Sequence, residues 1–506
     1  MKTSNILLLI LLAAYGIPCT PLLSQIGTRF PSERKIVRDP VTGIDLVFLT
    51  STPSGDHKIY QTHNQWTSDG KWLIFRSRRV RGEAMAVHEQ SGDIVQVTEG
   101  GYRGTLLVAR ESMKLYYMKG LSRDPEKNDP KIVEVDLEKL FADSESGSLK
   151  EESAYQRVCA SIPPGMGPGG DMALDAGEEW IWFRVGKTEA GKHLPEGTTP
   201  EPDFGPRNMG AGPGGIAGVN LHTGEIKYVV SVPFQVGHIQ SNPRIPGQIV
   251  FCWETGGKSP QRTWIVNSDG TGLRPLYPEA PYEWVTHETY IGPDEVAFAI
   301  MGHREIRNIG GGEDPEPEGD RQTNPGQEPK GNRQTNPGQE PKGNRQTNPG
   351  QEPKGNRQTN PGQEPKGNRQ TNPGQEPKGN RQTNPGQEPG WGDTGTREKP
   401  TGLGVVNVNT HEMMIEGQIP YGSGFWHVTG SYDGRFLAGD NFTGEIYLID
   451  RHTHEMMLLS AGHKRTAADH PHPSFSPDGT RIVIQSAMLS ADDRSMNICV
   501  IPLPEE

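Results

Sequence analysis

The segment His470-Pro471-His472 places two imidazoles at i and i+2. In an extended strand both side chains point to one face. Imidazole is the commonest side-chain ligand for first-row divalent metals. Pro471 has no N–H, which suits the entrance of a strand. Ser476-Pro-Asp-Gly479 then signals a tight turn, and Arg481-Ile-Val-Ile-Gln485 a second strand. The unit reads as strand, turn, strand, with two candidate metal ligands at its entrance.

The same unit recurs, and the recurrence sets the architecture. Gln65-Trp-Thr-Ser-Asp-Gly70 and His427-Val-Thr-Gly-Ser-Tyr-Asp-Gly434 share its form, and His238 to Phe251 is a degenerate copy. Each is followed by a short β-rich run, a turn such as Thr223-Gly224 or Asp269-Gly270, and another run. Four short strands per unit, repeated along the chain, is the pattern of a β-propeller. Units start near residues 56, 104, 171, 237, 286, 426 and 470, which makes seven blades. No alternation of helix and strand competes, and no long 3.6-residue period is read after the N-terminus. The expected class is all-β, a seven-bladed β-propeller.

One segment stands outside this pattern. Arg321-Gln-Thr-Asn-Pro-Gly-Gln-Glu-Pro-Lys-Gly-Asn332 recurs from Arg333, Arg345, Arg357, Arg369 and Arg381. It carries almost no apolar side chain and cannot bury enough surface to offset its ordering entropy. Residues 311–398 are therefore expected to be a disordered insertion in the fifth blade. Glu295-Val-Ala-Phe-Ala-Ile-Met301 and Gly402-Leu-Gly-Val-Val-Asn-Val408 then become sequential strands of one blade. A long loop insertion costs little stability. Propeller sequence occupies residues 26–310 and 399–506.

Residues 1–25 read as a signal peptide, with Lys2 ahead of the short apolar run Ile6–Ile17. This implies a periplasmic or secreted protein with no membrane insertion after signal removal. A lipoprotein anchored at Cys19 is the less favoured alternative, because Pro18 suits a lipidation site poorly. Cys159, Cys252 and Cys499 cannot all pair and are expected as free thiols. The net charge is −12, and each full repeat contributes a positive charge, so the propeller is more acidic still. Nucleic acid is excluded as a partner, since phosphate binding needs a basic surface.

Four stretches together resemble the oligogalacturonate lyase family, seven-bladed propeller lyases of pectin fragments. They are Gln65 to Arg79; Gly237-His238-Ile-Gln240 with Ile249-Val-Phe-Cys252; Gln261-Arg262 to Gly270, followed by Thr286-His287-Glu288; and His470 to Gly479. The resemblance runs from about Gly43 to Pro504, apart from the repeat. It implies β-elimination at a uronic acid residue of an acidic oligosaccharide, an oligogalacturonide. It also implies a divalent metal, Mn²⁺ by preference, held by His287, His470 and His472. The family's glutamine ligand falls at Ala467, a departure for which Asp469, His463 or water are the candidate substitutes. Its catalytic histidine corresponds to His238, and its arginine to Arg207.

The chemistry is consistent with those residue types. A uronate's C5 proton is weakly acidic while the C6 carboxylate is charged, so a metal or Arg must neutralise that charge. Histidine suits the base. Arg is always protonated and stabilises charge instead. His63 and His427, at comparable strand entrances, are candidate substrate contacts. The competing readings are a non-catalytic periplasmic propeller that scaffolds proteins, which needs no convergent imidazoles, and a lyase for another uronic-acid glycan.

Overall fold

The computed structural model describes residues 24–202, 209–256, 259–280, 283–301, 401–419 and 424–504. These form seven antiparallel sheets that follow one another along the chain. The first strands of the blades are His57–Lys58, Arg103–Val108, Met172–Leu174, Val236–Ser241, Val285–Tyr290, Phe425–Gly430 and Ser474–Phe475. Each forms one edge of its sheet, and together they line the central axis. The described chain is a seven-bladed β-propeller.

The blade turns follow from their residues. In Ser476-Pro-Asp-Gly479 the Ser476 hydroxyl donates to Asp478 at 2.5 Å, and Gly479 takes φ 70°. Ser431-Tyr-Asp-Gly434 repeats this, with the hydroxyl–carboxylate contact at 2.5 Å and φ 74° at Gly434. Glycine accepts a positive φ without steric cost, which is what these hairpins require.

Seven buried apolar clusters lie one between each pair of neighbouring blades. Trp182, for example, sits in the cluster joining the third and fourth blades and stacks on Trp180. The N-terminal strands close the ring. Lys35–Arg38 and Asp45–Phe48 supply the outer strands of the seventh blade, and Arg29–Phe30 adds to the first.

In the fifth blade, Glu295–Met301 pairs directly with Thr401–Asn407, Met301 opposite Thr401. The two ends of the insertion thus meet at adjacent strand positions. The repeat itself, like Cys19 and most of the leader, lies outside the described residues. Cys159, Cys252 and Cys499 are free thiols.

Helix is confined to short pieces, the longer α-helix being the ten-residue Leu137–Ser146 in the second blade. Leu137, Leu140, Phe141 and Ser144 form its buried face at i, i+3, i+4 and i+7. Asp136 caps it by accepting from the Lys139 N–H, and Gly147 ends it at φ 68°. The signals are local and readable, but ten residues are easily hidden between strand runs.

Candidate functional site

The first strands of blades four, five and six each carry a bulge at the same place. Gly237 pairs with Cys252 and Gln240 with Val250, so His238 and Ile239 face one residue. Thr286 pairs with Ala299 and Thr289 with Ala297, so His287 and Glu288 do likewise. Phe425 pairs with Asn441 and Val428 with Gly439, which leaves Trp426 and His427 opposite Asp440. A bulge re-aims side chains that a regular pleat would send elsewhere.

His238, His287 and His472 have φ values of 48°, 55° and 53°. Such a backbone costs about 1–3 kcal/mol for a non-glycine residue and persists only when its surroundings over-determine it. His411 and His454 share positive φ, but they sit in exposed hairpin turns. The axial histidines do not.

The Gly-His-x-Gln motif now has a local explanation. A Cβ on Gly237 would meet the Cβ of Glu254 at 2.7 Å. His238 occupies the bulge. Gln240 Nε2 donates to the Glu288 carbonyl at 2.7 Å, tying the fourth blade to the fifth.

Four imidazoles gather around the axis. The His427 ring lies 4.3 Å from His287, 5.4 Å from His470 and 3.6 Å from His472, centroid to centroid. Asp440, fully buried, faces His427 Nδ1 at 3.1 Å from both carboxylate oxygens. This contact favours the proton on Nδ1 and leaves Nε2 as the donor. His427, Asp440 and His470 each offer one ligand atom, all within 4.8 Å of one another. Donors bonded to one ion at about 2.0–2.3 Å stand at most about 4.6 Å apart, so this set fits a divalent cation after small adjustment. Burial pushes the His287, His427 and His470 pKa values down, which keeps the imidazoles in the neutral, ligating form.

The sequence-derived trio of His287, His470 and His472 is brought into this cluster, but the closest donor set runs through His427 and Asp440 instead. His472 directs Nδ1 at Gln61 Oε1, 2.9 Å away, and Nε2 at Asp469 Oδ1, 3.1 Å away. Asp469 therefore stands beside the cluster. His463 is spent elsewhere: its two ring nitrogens face the Ser460 and Ser486 hydroxyls at 2.9 and 2.8 Å.

A second group also packs against Tyr60, whose ring is 5.2 Å from His472 and 5.3 Å from His238. Here Arg262 Nε donates to Glu288 at 3.0 Å, and its Nη2 is 3.4 Å from His238 Nδ1. His238 Nε2 is 3.4 Å from Glu254 and its Nδ1 3.5 Å from Glu288. Burial would lower the His238 pKa, but the Glu288 and Glu254 carboxylates hold it above its ordinary value. Burial would raise Glu288, but Arg262 and His238 hold it well below the usual carboxylate range. His238, Cys252 and Glu288 also have metal-ligand spacing. A guanidinium already occupies that space, and burial pushes the Cys252 thiol well up, so this group suits proton transfer rather than an ion.

No family model matches the chain, and no curated protein matches it by sequence. Among solved structures, an oligogalacturonate lyase in complex with manganese aligns at TM-score 0.60 and 16% identity, covering 95% of this chain and 99% of its own. An oligogalacturonate lyase from Vibrio parahaemolyticus aligns with the same values. The chain has the oligogalacturonate lyase fold.

Arg207 lies at 203–208, outside the described residues. The buried arginine beside His238 is Arg262, which the sequence marked only as part of a motif. Asp440 and Glu288 also escaped notice as site residues. A signal existed for Asp440: a carboxylate inside the run Phe436-Leu-Ala-Gly-Asp-Asn441 must be paired when buried. His63 is placed near His238, whose charge, after burial, helps push its pKa down to about 3.

Proposed function

We propose that this protein is a metal-dependent lyase that cleaves oligogalacturonides by β-elimination, acting in the periplasm or outside the cell. The observation that carries the reading is that two sites pack against one aromatic ring. His427, Asp440 and His470 form a neutral-nitrogen and carboxylate donor set, and His427 lies 6.2 Å from the Tyr60 ring, while His238, with Arg262 and Glu288, lies 5.3 Å from it.

A divalent cation, Mn²⁺ by preference, would supply charge neutralisation at the substrate carboxylate. His427, Asp440 and His470 would hold it, with His287 and His472 packed against His427. His238 takes the C5 proton at a ring nitrogen. Glu288 and Glu254 then stabilise the imidazolium, as the carboxylate partner of a general base does. Arg262 keeps the buried Glu288 ionised for that role. Arg207 is proposed as a clamp on a substrate carboxylate. Half-buried Trp426, 4.4 Å from the His287 ring, gives a sugar face a surface to pack on.

The test is incubation with a panel of uronic-acid oligosaccharides and Mn²⁺, following the ultraviolet absorbance of the new C4–C5 double bond. Absorbance growing on oligogalacturonides supports the reading. Absorbance on a different uronide only would reassign the substrate. None on any uronide would favour a scaffold.

A further inference from the structure

The first strands pass the histidines and, two to five residues later, reach the turns into the second strands. There, two adjoining open clefts of about 480 and 560 Å³ share the lining residues Thr62, His63, Asn64, Arg110 and Pro243. Arg110 from the second blade and Tyr432 from the sixth line this mouth, and exposed Arg244 from the fourth reaches it by lying on Tyr432.

Arg244 lies over the Tyr432 ring at 3.7 Å and donates to the Tyr432 carbonyl, and Arg110 lies 5.7 Å from the same ring. Among the described residues, neither guanidinium has a carboxylate within ion-pair distance. The nearest acid on Arg110's side, Glu178, is committed to its turn. Its oxygens accept from the backbone N–H groups of Arg110 and Glu111 at 2.7 and 2.8 Å and from the Ser112 hydroxyl at 2.6 Å. Burial disfavours the Arg110 cation above all; Tyr432 offsets part of this, Arg244 adds to it, and Glu178 and Glu111 help less. Half-buried Arg110 thus carries its charge partly out of water with no counter-ion, which is costly.

We propose that this mouth of the axial channel is a second binding site, which takes the carboxylate of an acidic sugar between Arg110 and Arg244. The guanidinium fork matches a planar carboxylate in two-point contact. Thr62, which lines both clefts, offers a hydrogen bond to a sugar hydroxyl. Glu178 nearby reduces the local positive charge, which suits a monoanion over a phosphate dianion. None of His427, Asp440 and His470 lines the clefts, although Gln61 does and faces His472 Nδ1, and His63, near His238, lines them too.

The experiment is calorimetric titration of the full chain, in EDTA, with galacturonate and in parallel with inorganic phosphate. No metal or turnover is involved, so the outcome is independent of whether the protein is a lyase. Galacturonate should bind the wild type and the His470→Asn/His472→Asn variant alike. It should bind Arg110→Gln/Arg244→Gln at least about tenfold more weakly, the value of one lost charge-assisted hydrogen bond. If that variant does not fold, Arg110→Lys replaces it and should show the same weakening, since an ammonium keeps the charge but loses the fork. No binding by the wild type, equal binding by the arginine variants, loss of binding in the histidine variant, or tighter binding of phosphate than of galacturonate would each overturn the proposal.

Discussion

Asp440 holds His427 at two points: its Oδ1 accepts the His427 backbone N–H at 2.7 Å, and both oxygens lie 3.1 Å from Nδ1. The same carboxylate accepts the His472 N–H at 3.2 Å. One buried acid thus positions histidines from two blades.

That relationship makes the first prediction. Asp440→Asn removes the negative charge and half of the acceptor capacity facing His427. Mn²⁺ affinity should fall by at least about 10–100-fold, the usual cost of losing a carboxylate that orients a ligating histidine, because Asp440 also offers a ligand oxygen. Calorimetry with Mn²⁺ checks this, with thermal unfolding as a control for the fold. Undiminished affinity would place the ion elsewhere.

His238 is the proposed base. Its φ of 48° makes alanine a poor test, because the substitution adds backbone strain to the lost imidazole. Asparagine tolerates this conformation better. His238→Asn should lower turnover by roughly 10²–10⁴-fold and leave metal content intact. In the wild type the two carboxylates hold the imidazolium beyond its ordinary pKa of about 6.5. The base form is neutral, so kcat/KM should rise with pH through an inflection above about 6.5. Full activity in the variant would pass the base role to His63.

The insertion should be dispensable. Met301 and Thr401 are paired neighbours, so the blade does not need the intervening chain to bring its strands together. Loop-closure cost changes only logarithmically with length. Deleting Arg321 to Gly390 should shift the thermal midpoint by no more than a few degrees and leave activity unchanged. A large loss of either would assign the repeat a structural task.

Much of the architecture was open to inspection in the sequence. Blade starts inferred at 237, 286 and 426 fall within one residue of the observed strands at Val236, Val285 and Phe425. The strands flanking the repeat are paired as read. Turn residues and short apolar runs are local signals, and a propeller is built by repeating them. The site is not local. Arg262 meets Glu288 across two blades, and Asp440 reaches His472 across two more. These pairings depend on the ring and on bulges at His238, His287 and His427, where a single extra residue redirects a side chain. No residue type announces such a bulge.

His463 gives a prediction about stability. Buried between two serine hydroxyls, it is well served as a neutral ring, and burial pushes its pKa down to about 4. The unfolded chain binds this proton near pH 6.5 and the folded one only near pH 4. Its contribution is complete above pH 6.5 and declines as the pH falls toward 4, by about 1.4 kcal/mol per pH unit. Urea unfolding between pH 7 and pH 5 should show a shallower pH dependence in His463→Gln than in the wild type. Equal slopes would mean the ring titrates normally in the fold.

The most direct measurement follows elimination and metal together. Protein stripped with a chelator should form no unsaturated product from oligogalacturonides. As Mn²⁺ is titrated back, ultraviolet absorbance rate and bound metal should rise in parallel and saturate at about one ion per chain. His470→Asn/His472→Asn should restore neither. Elimination by the stripped protein at the full rate, or a fully metal-loaded wild type inert toward every uronide, would contradict the account.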